Sequence, residues 1–460
     1  MGNIENILGE VNDLVWGIPL LVLLVGTGIY LTVRLGFLQI RFLPHALRLA
    51  FSRNQDKKSD GDISHFQALM TASAATVGTG NIVGVATAVV LGGPGAVFWM
   101  WAAGLFGMAT KYGEAILAVK YRVKDYEGKM AGGPMYYLER GLKNKRIGKI
   151  LGVMFALFGA LAAFGIGNGT QSKAVADLMN ETFSIPFWVT GIALGIFAGL
   201  VIIGGIEWIG KVTAFFVPIM AIFYILAGLI VMIMNISLVP EALGTIFSYA
   251  FSGEAAAGGT VGAVIRFGVA RGLFSNEAGL GSAPIAAAAA KTDLPGRQAL
   301  VSMTQVLIDT FIICSITGIT IVMSGAWQNS SIDAGVLTST AFGNLLGDVG
   351  PYLITLGLLF FATSTILGWG YYGEKCFQYL IKNPTAVKTY RTVFVLFIFV
   401  GATASIDVVW TLADVLNGLM AIPNLIGLLG LSGVIILETK RYQQKVKEEA
   451  GEIKQEAKNA

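Results

Sequence analysis

TASAATVGTGNIVGVATAVV, residues 71–90, is the stretch on which the fold turns. It is long and apolar enough for a membrane-spanning helix of ~20 residues, yet Gly78, Thr79 and Gly80 interrupt its middle. Glycine weakens a helix and releases backbone amides and carbonyls from the i→i−4 ladder. In hydrocarbon such groups are costly unless they face a cavity or a ligand. ARGLFSNEAGLGSAPIAAAAA (270–290) carries the same kind of interruption in the second half of the chain.

The surroundings of both stretches are those of a membrane protein. Of 460 residues 55% are hydrophobic and only 13% charged, a composition that a soluble domain of this size does not have. Apolar runs fall near 14–34, 66–91, 94–119, 150–171, 185–204, 212–236, 262–289, 298–324, 350–373, 392–406 and 411–437. They lack period-2 alternation, so helices rather than barrel strands are expected. Loop charge tests the count. The segments 34–62 and 119–149, the loops around Lys211, Lys291 to Arg297 and Lys375 to Arg391, and the tail from Glu438 hold 28 of the 32 basic residues. The alternate loops, 1–13, 92–93, 172–184, 237–261, 325–349 and 407–410, hold only Lys173. The positive-inside rule then predicts about eleven transmembrane helices in the cell membrane, N-terminus outside and C-terminus cytoplasmic. Residues 1–13 are acidic rather than basic, so no cleavable signal peptide is expected.

The two interruptions each open a set of five helices. Five is odd, so the second set sits upside down relative to the first. Paired broken helices in inverted repeats point to a secondary transporter with a site at the membrane midplane. The expected organisation is an extra helix and basic segment (1–65), a first five-helix repeat (66–237), a second (238–437) and a charged tail (438–460). The alternative is plain helix packing, since Gly80 and Gly84 make a small-xxx-small pair. Two interruptions at corresponding places, each with Asn and hydroxyl residues, favour a site. A half-helix starting after Gly78–Thr79–Gly80 aims free amides at an anionic group. The half-helix ending near Ala75–Thr76 offers carbonyls to a cation or an ammonium. Together with the break around Gly272–Phe274, these ends bracket a zwitterion such as an amino acid. The carbonyls also suit Na⁺.

GGPGAVFWMW (92–101), GGPMYYLERGL (132–142) and RGLFSNEAGLGSAP (271–284) resemble the motifs of the alanine/glycine:cation symporter family, the sodium:alanine symporters, across essentially the whole chain. That family is similar to LeuT-type transporters. The resemblance implies an all-α integral membrane protein whose core is two inverted five-helix repeats. AATVGTGN (74–81) resembles the break in the first core helix of such carriers. It implies that Gly78, Thr79 and Gly80 bind the substrate carboxylate through backbone amides. It also implies that Ala74 and Val77 lend carbonyls to a sodium site, against Thr363 and Ser364 in FFATSTILGWG (360–370). Asn81 matches a residue that ligates a second sodium in some relatives. The expected function is sodium-coupled symport of small neutral amino acids, alanine or glycine, with Na⁺ as coupling ion and no cofactor. The rivals are a proton-coupled carrier of the same solutes and, from another class, a channel.

Other residues have two readings. Gln171, in GIGNGTQ (165–171), reaches the substrate carboxylate if it faces inward and is an ordinary interfacial residue if not. Asn276 either contacts substrate or caps the break. Phe274 and Trp369 could wall a tight pocket, though Trp is common in interfacial belts. Met303 is a further possible wall, or packing. Intramembrane charges mark function by default. Arg271 and Glu277 could pair or anchor the inner gate, and Glu277 or Asp309 could carry a coupling proton. Lys111 and Glu114, one turn apart, read as a structural pair near the interface. Pro134 suits the start of a short helix in which Met135, Tyr136 and Tyr137 pack on the base of the bundle. Cys314 and Cys376 make no disulfide framework, and His45 and His65 are too few for a metal site. No nucleophile–base constellation or cofactor loop argues for an enzyme. GTGNIVG follows no strand and lacks dinucleotide-loop spacing.

Overall fold

The computed structural model describes residues 2–52, 59–252, 261–404 and 407–459. Arg53, Lys57 and Lys58 of the basic segment lie outside the described residues, as does part of the loop 237–261.

An N-terminal group comprises α1 (Gly2–Val15), α2 (Ile18–Arg34), α3 (Leu38–Arg41) and α4 (Leu43–Phe51). The first interrupted helix follows: α5 (His65–Thr76), a π-helical turn Gly80–Gly84 and α6 (Val85–Gly92), bent by 55°. Then come α7 (Ala96–Tyr121), a β-hairpin (Val123–Lys124 with Met130–Ala131) and α8 (Pro134–Gly141). Next are α9 (Lys145–Phe164) and α10 (Thr170–Phe183), joined by a π-helical turn Gly165–Gly169, then α11 (Phe187–Ile203) and α12 (Gly205–Met234). The second half runs α13 (Val239–Ser252), α14 (Val261–Asn276), α15 (Pro284–Ala288), α16 (Pro295–Val306), a π-helical stretch Leu307–Cys314 and α17 (Ser315–Ser324). It closes with α18 (Ala334–Leu346), α19 (Val349–Leu380), α20 (Pro384–Thr403), α21 (Asp407–Gly430) and α22 (Ser432–Asn459).

The two halves mirror each other. Each has a broken helix, a long helix, a short helix (α8 or α18), another long helix and two more. The helix preceding each break packs against the other half: α4 on α16, α13 on α7. Helices α11 and α20 pair, and α7 is wedged between α14 and α16. This is the LeuT-type arrangement of two inverted five-helix repeats with two broken helices.

By length and apolarity seven helices among the described residues qualify as membrane spans, or eight if the bent pair His65–Thr76 and Gly80–Gly92 is one. The sequence count of about eleven is larger because it admits α7, α11 and α14 with α15. Helix α11 has only 17 residues. Helix α7 carries Lys111 and Glu114, and the α14–α15 span is interrupted by an unwound turn. A helix surrounded by protein does not need a lipid-compatible surface, and α7 is buried almost all round from Ala103 to Val119. Of residues 1–13, read as a loop, 2–13 belong instead to α1, which packs on α21. Within loops 237–261 and 325–349 lie α13 and α18, too short and polar to register as apolar runs.

On the face with α8, the chain is tied shut. Asp62 N–H donates to Ala289 O (2.8 Å) and Lys291 N–H to Ile63 O (2.8 Å). Arg122 then bridges both sides. One guanidinium nitrogen donates to Ala288 O and Ala290 O (3.0 and 2.6 Å), the other to Asp60 O and Thr292 O (2.8 and 2.9 Å). Met135 and Tyr137 are fully buried at the base of the bundle, and Tyr136 lies edge-on to Tyr379.

Candidate functional site

At the first break α5 ends in a buried turn. Val77 takes an extended ψ and Gly78 N–H, no longer helical, donates to Asn81 Oδ1 (2.9 Å). Thr79 N–H donates to Gln171 Oε1 (3.1 Å), and Gln171 Nε2 returns bonds to Thr79 Oγ1 (3.0 Å) and Ile166 O (2.9 Å). Gln171 therefore faces inward, aimed there by the π-helical turn of Gly165–Gly169, which ends immediately before Thr170. A Cβ at Gly78 would fall 2.4 Å from Thr365 Oγ1 and 3.0 Å from Gln171 Oε1, so only glycine fits.

At the second break α14 stops at Asn276 and Glu277 adopts a left-handed conformation (φ 57°). Asn276 caps the turn: its Oδ1 accepts from Ala278 N–H (2.9 Å) and its Nδ2 donates to Thr310 Oγ1 (3.0 Å). Glu277 accepts from Trp369 Nε1 (2.9 Å) and from Ser282 Oγ. It does not pair with Arg271, whose guanidinium stands 5.7 Å from the Phe274 ring. The two breaks meet through Asp309, which accepts from Asn81 Nδ2 (2.7 Å) and Ser275 Oγ (3.1 Å).

Two cavities share Gly80 and Phe274 as lining. A small one of about 20 Å³ is bounded by Ala75, Thr76, Gly78, Gln171, Ser275, Glu277, Thr365 and Trp369, together with Ile166 and Asn417. A larger one of about 490 Å³ reaches from Thr79 to Lys173, Glu181, Arg271 and Asp333. Trp369 is a buried pocket residue, not an interfacial one, and Phe274 stands between the two spaces. Met303 is buried in the packed interior and lines neither.

On α19, Ser364 Oγ reaches Ala74 O (3.3 Å) and Thr365 Oγ1 reaches Val77 O (3.2 Å). Both hydroxyls also bond Phe361 O, at 2.8 and 3.1 Å. Thr363 turns to Leu359 O of its own helix (2.5 Å), so the hydroxyl beside Val77 is Thr365. Three carbonyls and two hydroxyls converging without a carboxylate form a donor set suited to a singly charged, oxygen-preferring cation. Asn81 Oδ1 is engaged by Gly78 N–H, and beside it stand Asp309, Ser275 and Cys314. Asp309 is the one of these that the sequence offered only as a proton carrier. Ser275, Thr365 and Phe361 were not singled out, though Ser275 and Thr365 are hydroxyls adjacent to residues that were.

Fold and site define a LeuT-type secondary transporter: two inverted sets of helices, each broken where it meets a buried polar pocket. The chain belongs to the sodium:alanine symporter family, whose profile matches residues 1–457. It is 59% identical to the sodium/alanine symporter AgcS of Methanococcus maripaludis, over 97% of this chain and 98% of that one. It is 35% identical to the amino-acid carrier protein AlsT of Bacillus subtilis, over 95% and 92%. A crystal structure of MhsT in complex with L-phenylalanine superposes with a TM-score of 0.58 at 13% identity, covering 83% of this chain and 98% of that one, which speaks to the fold. The protein is a multi-pass membrane carrier, a sodium-coupled amino-acid symporter and not an enzyme.

Proposed function

We propose that this symporter carries alanine and glycine into the cell, with the substrate carboxylate on the amides of Gly78, Thr79 and Gly80. The carrying observation is that Gly78 and Thr79 N–H are held by the neutral amide oxygens of Asn81 and Gln171, partners that a carboxylate can displace with a stronger, charge-assisted bond. The small space beside these amides is walled by the aromatic side chains of Phe274 and Trp369. Wall contacts give only ~1–3 kcal/mol per methylene, so selection rests on rigid aromatics. Asn276 acts by shaping the break, and Met303 by packing.

Sodium is assigned to Ala74 O, Val77 O and Phe361 O with Ser364 and Thr365. It joins the first broken helix to α19 and so readies the adjacent amides. The cavity of about 490 Å³ on one face, and the Arg122 ties on the other, fit an outward-facing carrier with its N-terminus outside and C-terminus cytoplasmic. The repeats are assigned to 66–237 and 238–437. Alternating access then consists of closing over Phe274 and releasing the Arg122 ties.

The test is uptake of labelled alanine into proteoliposomes under an inward Na⁺ gradient, with a competition panel of L- and D-amino acids. Sodium-driven uptake blocked by glycine and alanine, and not by leucine or phenylalanine, is expected. Uptake driven by a proton gradient and indifferent to sodium would overturn the reading.

A further inference from the structure

The two breaks differ in what occupies their backbone amides. At the first, Gly78 and Thr79 donate to neutral side chains. At the second, Gly279 and Gly281 N–H both donate to one oxygen, Oε1 of Glu114, at 3.1 Å each. Asn424 Nδ2 adds a third bond to the same oxygen at 2.7 Å, while also holding Gly279 O at 2.8 Å. Both glycines have φ near +90° (89° and 87°), the region that allows two amides of the turn to face inward and that other residues rarely enter. Glu114 is wholly buried on α7. Lys111, one turn earlier on that helix, is 1% exposed, and its ammonium has no hydrogen-bond partner among the described residues.

We infer that Glu114 is a resident carboxylate: at the second break the chain supplies the anion that the first break takes from solution. This rests on the reading of the Gly78–Thr79 amides as the substrate carboxylate's site. Glu114 is then a positioning residue. By pinning Gly279 and Gly281 it fixes the unwound turn, hence Glu277 in its left-handed conformation, hence the indole of Trp369 that Glu277 holds. The wall of the substrate pocket is set from the far side of the break.

The experiment compares wild type, Glu114→Ala and Glu114→Gln, full length. The readouts are sodium-driven alanine uptake in proteoliposomes and the thermal unfolding midpoint in detergent. Each is measured with sodium chloride or sodium formate at constant Na⁺. Glu114→Ala strands three buried donors, and the alanine concentration for half-maximal uptake should rise about tenfold or more, with sodium half-saturation changed less. Formate, a small carboxylate able to fill the vacated place, should restore affinity and raise the unfolding midpoint in Glu114→Ala beyond any change it causes in wild type, where it can act only at the first break. Glu114→Gln, which keeps an acceptor and loses the charge, should fall between. Wild-type affinity in Glu114→Ala overturns the inference, as does equal impairment of both variants with indifference to formate. If Glu114→Ala cannot be recovered folded, Glu114→Gln decides: weakened alanine affinity at unchanged sodium affinity supports the inference, and wild-type values refute it. If wild type itself takes up no alanine, the functional reading fails. The formate-dependent unfolding shift then judges Glu114 alone.

Discussion

Gln171 holds Thr79 at two points: its Oε1 accepts the Thr79 N–H at 3.1 Å and its Nε2 donates to the Thr79 hydroxyl at 3.0 Å. The side chain is thus a neutral placeholder on an amide assigned to the substrate carboxylate. It is also a donor that can turn to that carboxylate when displaced. Gln171→Glu places an anion there instead and should abolish alanine uptake by charge repulsion. Gln171→Ala removes one neutral hydrogen-bond partner, ~1 kcal/mol, and should raise the half-saturating alanine concentration several-fold. Equal activity of the Glu and Ala variants would show that no carboxylate binds beside Gln171.

The hydroxyl ladder on α19 gives a second prediction with an internal control. Ser364→Ala and Thr365→Ala should each raise the sodium concentration needed for half-maximal uptake about tenfold, the scale of one lost oxygen ligand. Thr363→Ala should leave it unchanged, because the Thr363 hydroxyl is turned to Leu359 O. A sodium requirement that shifts in Thr363→Ala and not in Thr365→Ala would refute the assignment.

Three consecutive hydroxyls also show where sequence reading stops. The break at Gly78–Gly80 was legible because glycines clustered inside an apolar run free backbone groups that lipid cannot satisfy. Gln171 was legible as a candidate, and its direction was not. Successive residues on a helix point about 100° apart, so 363, 364 and 365 cannot all face Val77, and nothing local says which do. Glu114 reads as an interfacial partner of Lys111 because the two are one turn apart. Its actual partners lie 165, 167 and 310 residues away. Contacts of that separation are set by how the two repeats interlock, which hydrophobic patterning does not encode.

Gly78 offers a steric test of the interlock between the first break and α19. A methyl added there would stand 2.4 Å from Thr365 Oγ1. Gly78→Ala should therefore lose both alanine uptake and sodium dependence while retaining normal membrane insertion. Gly78→Ala combined with Thr365→Gly should recover part of the fold's stability, measured as the unfolding midpoint. No recovery in the double variant would place the clash elsewhere.

The Arg122 face is reinforced by Lys375 and Asp125, an ion pair at 2.7 Å whose side chains are 5% and 4% exposed. Gln378 bonds both partners. Asp125 sits in the hairpin outside the membrane spans. Burial alone would raise its pKa, but the Lys375 ammonium, together with amide bonds from Lys129 and Glu127, holds it below the ordinary 3.8. A carboxyl depressed on folding stabilises the folded state above its unfolded pKa, and that contribution disappears as pH falls through the lower folded value. The tie should thus be complete at neutral pH and weaken only below about pH 4. Asp125→Asn leaves Lys375 buried without its carboxylate, a loss of ~3–5 kcal/mol for a pair of this kind. That variant should show a lower unfolding midpoint at neutral pH and a shallower loss of stability on acidification than wild type. It should also label faster at a cysteine placed at Ala288, because the tie holds that face shut. Unchanged labelling with a lowered midpoint would mean that the pair supports the fold without guarding the opening.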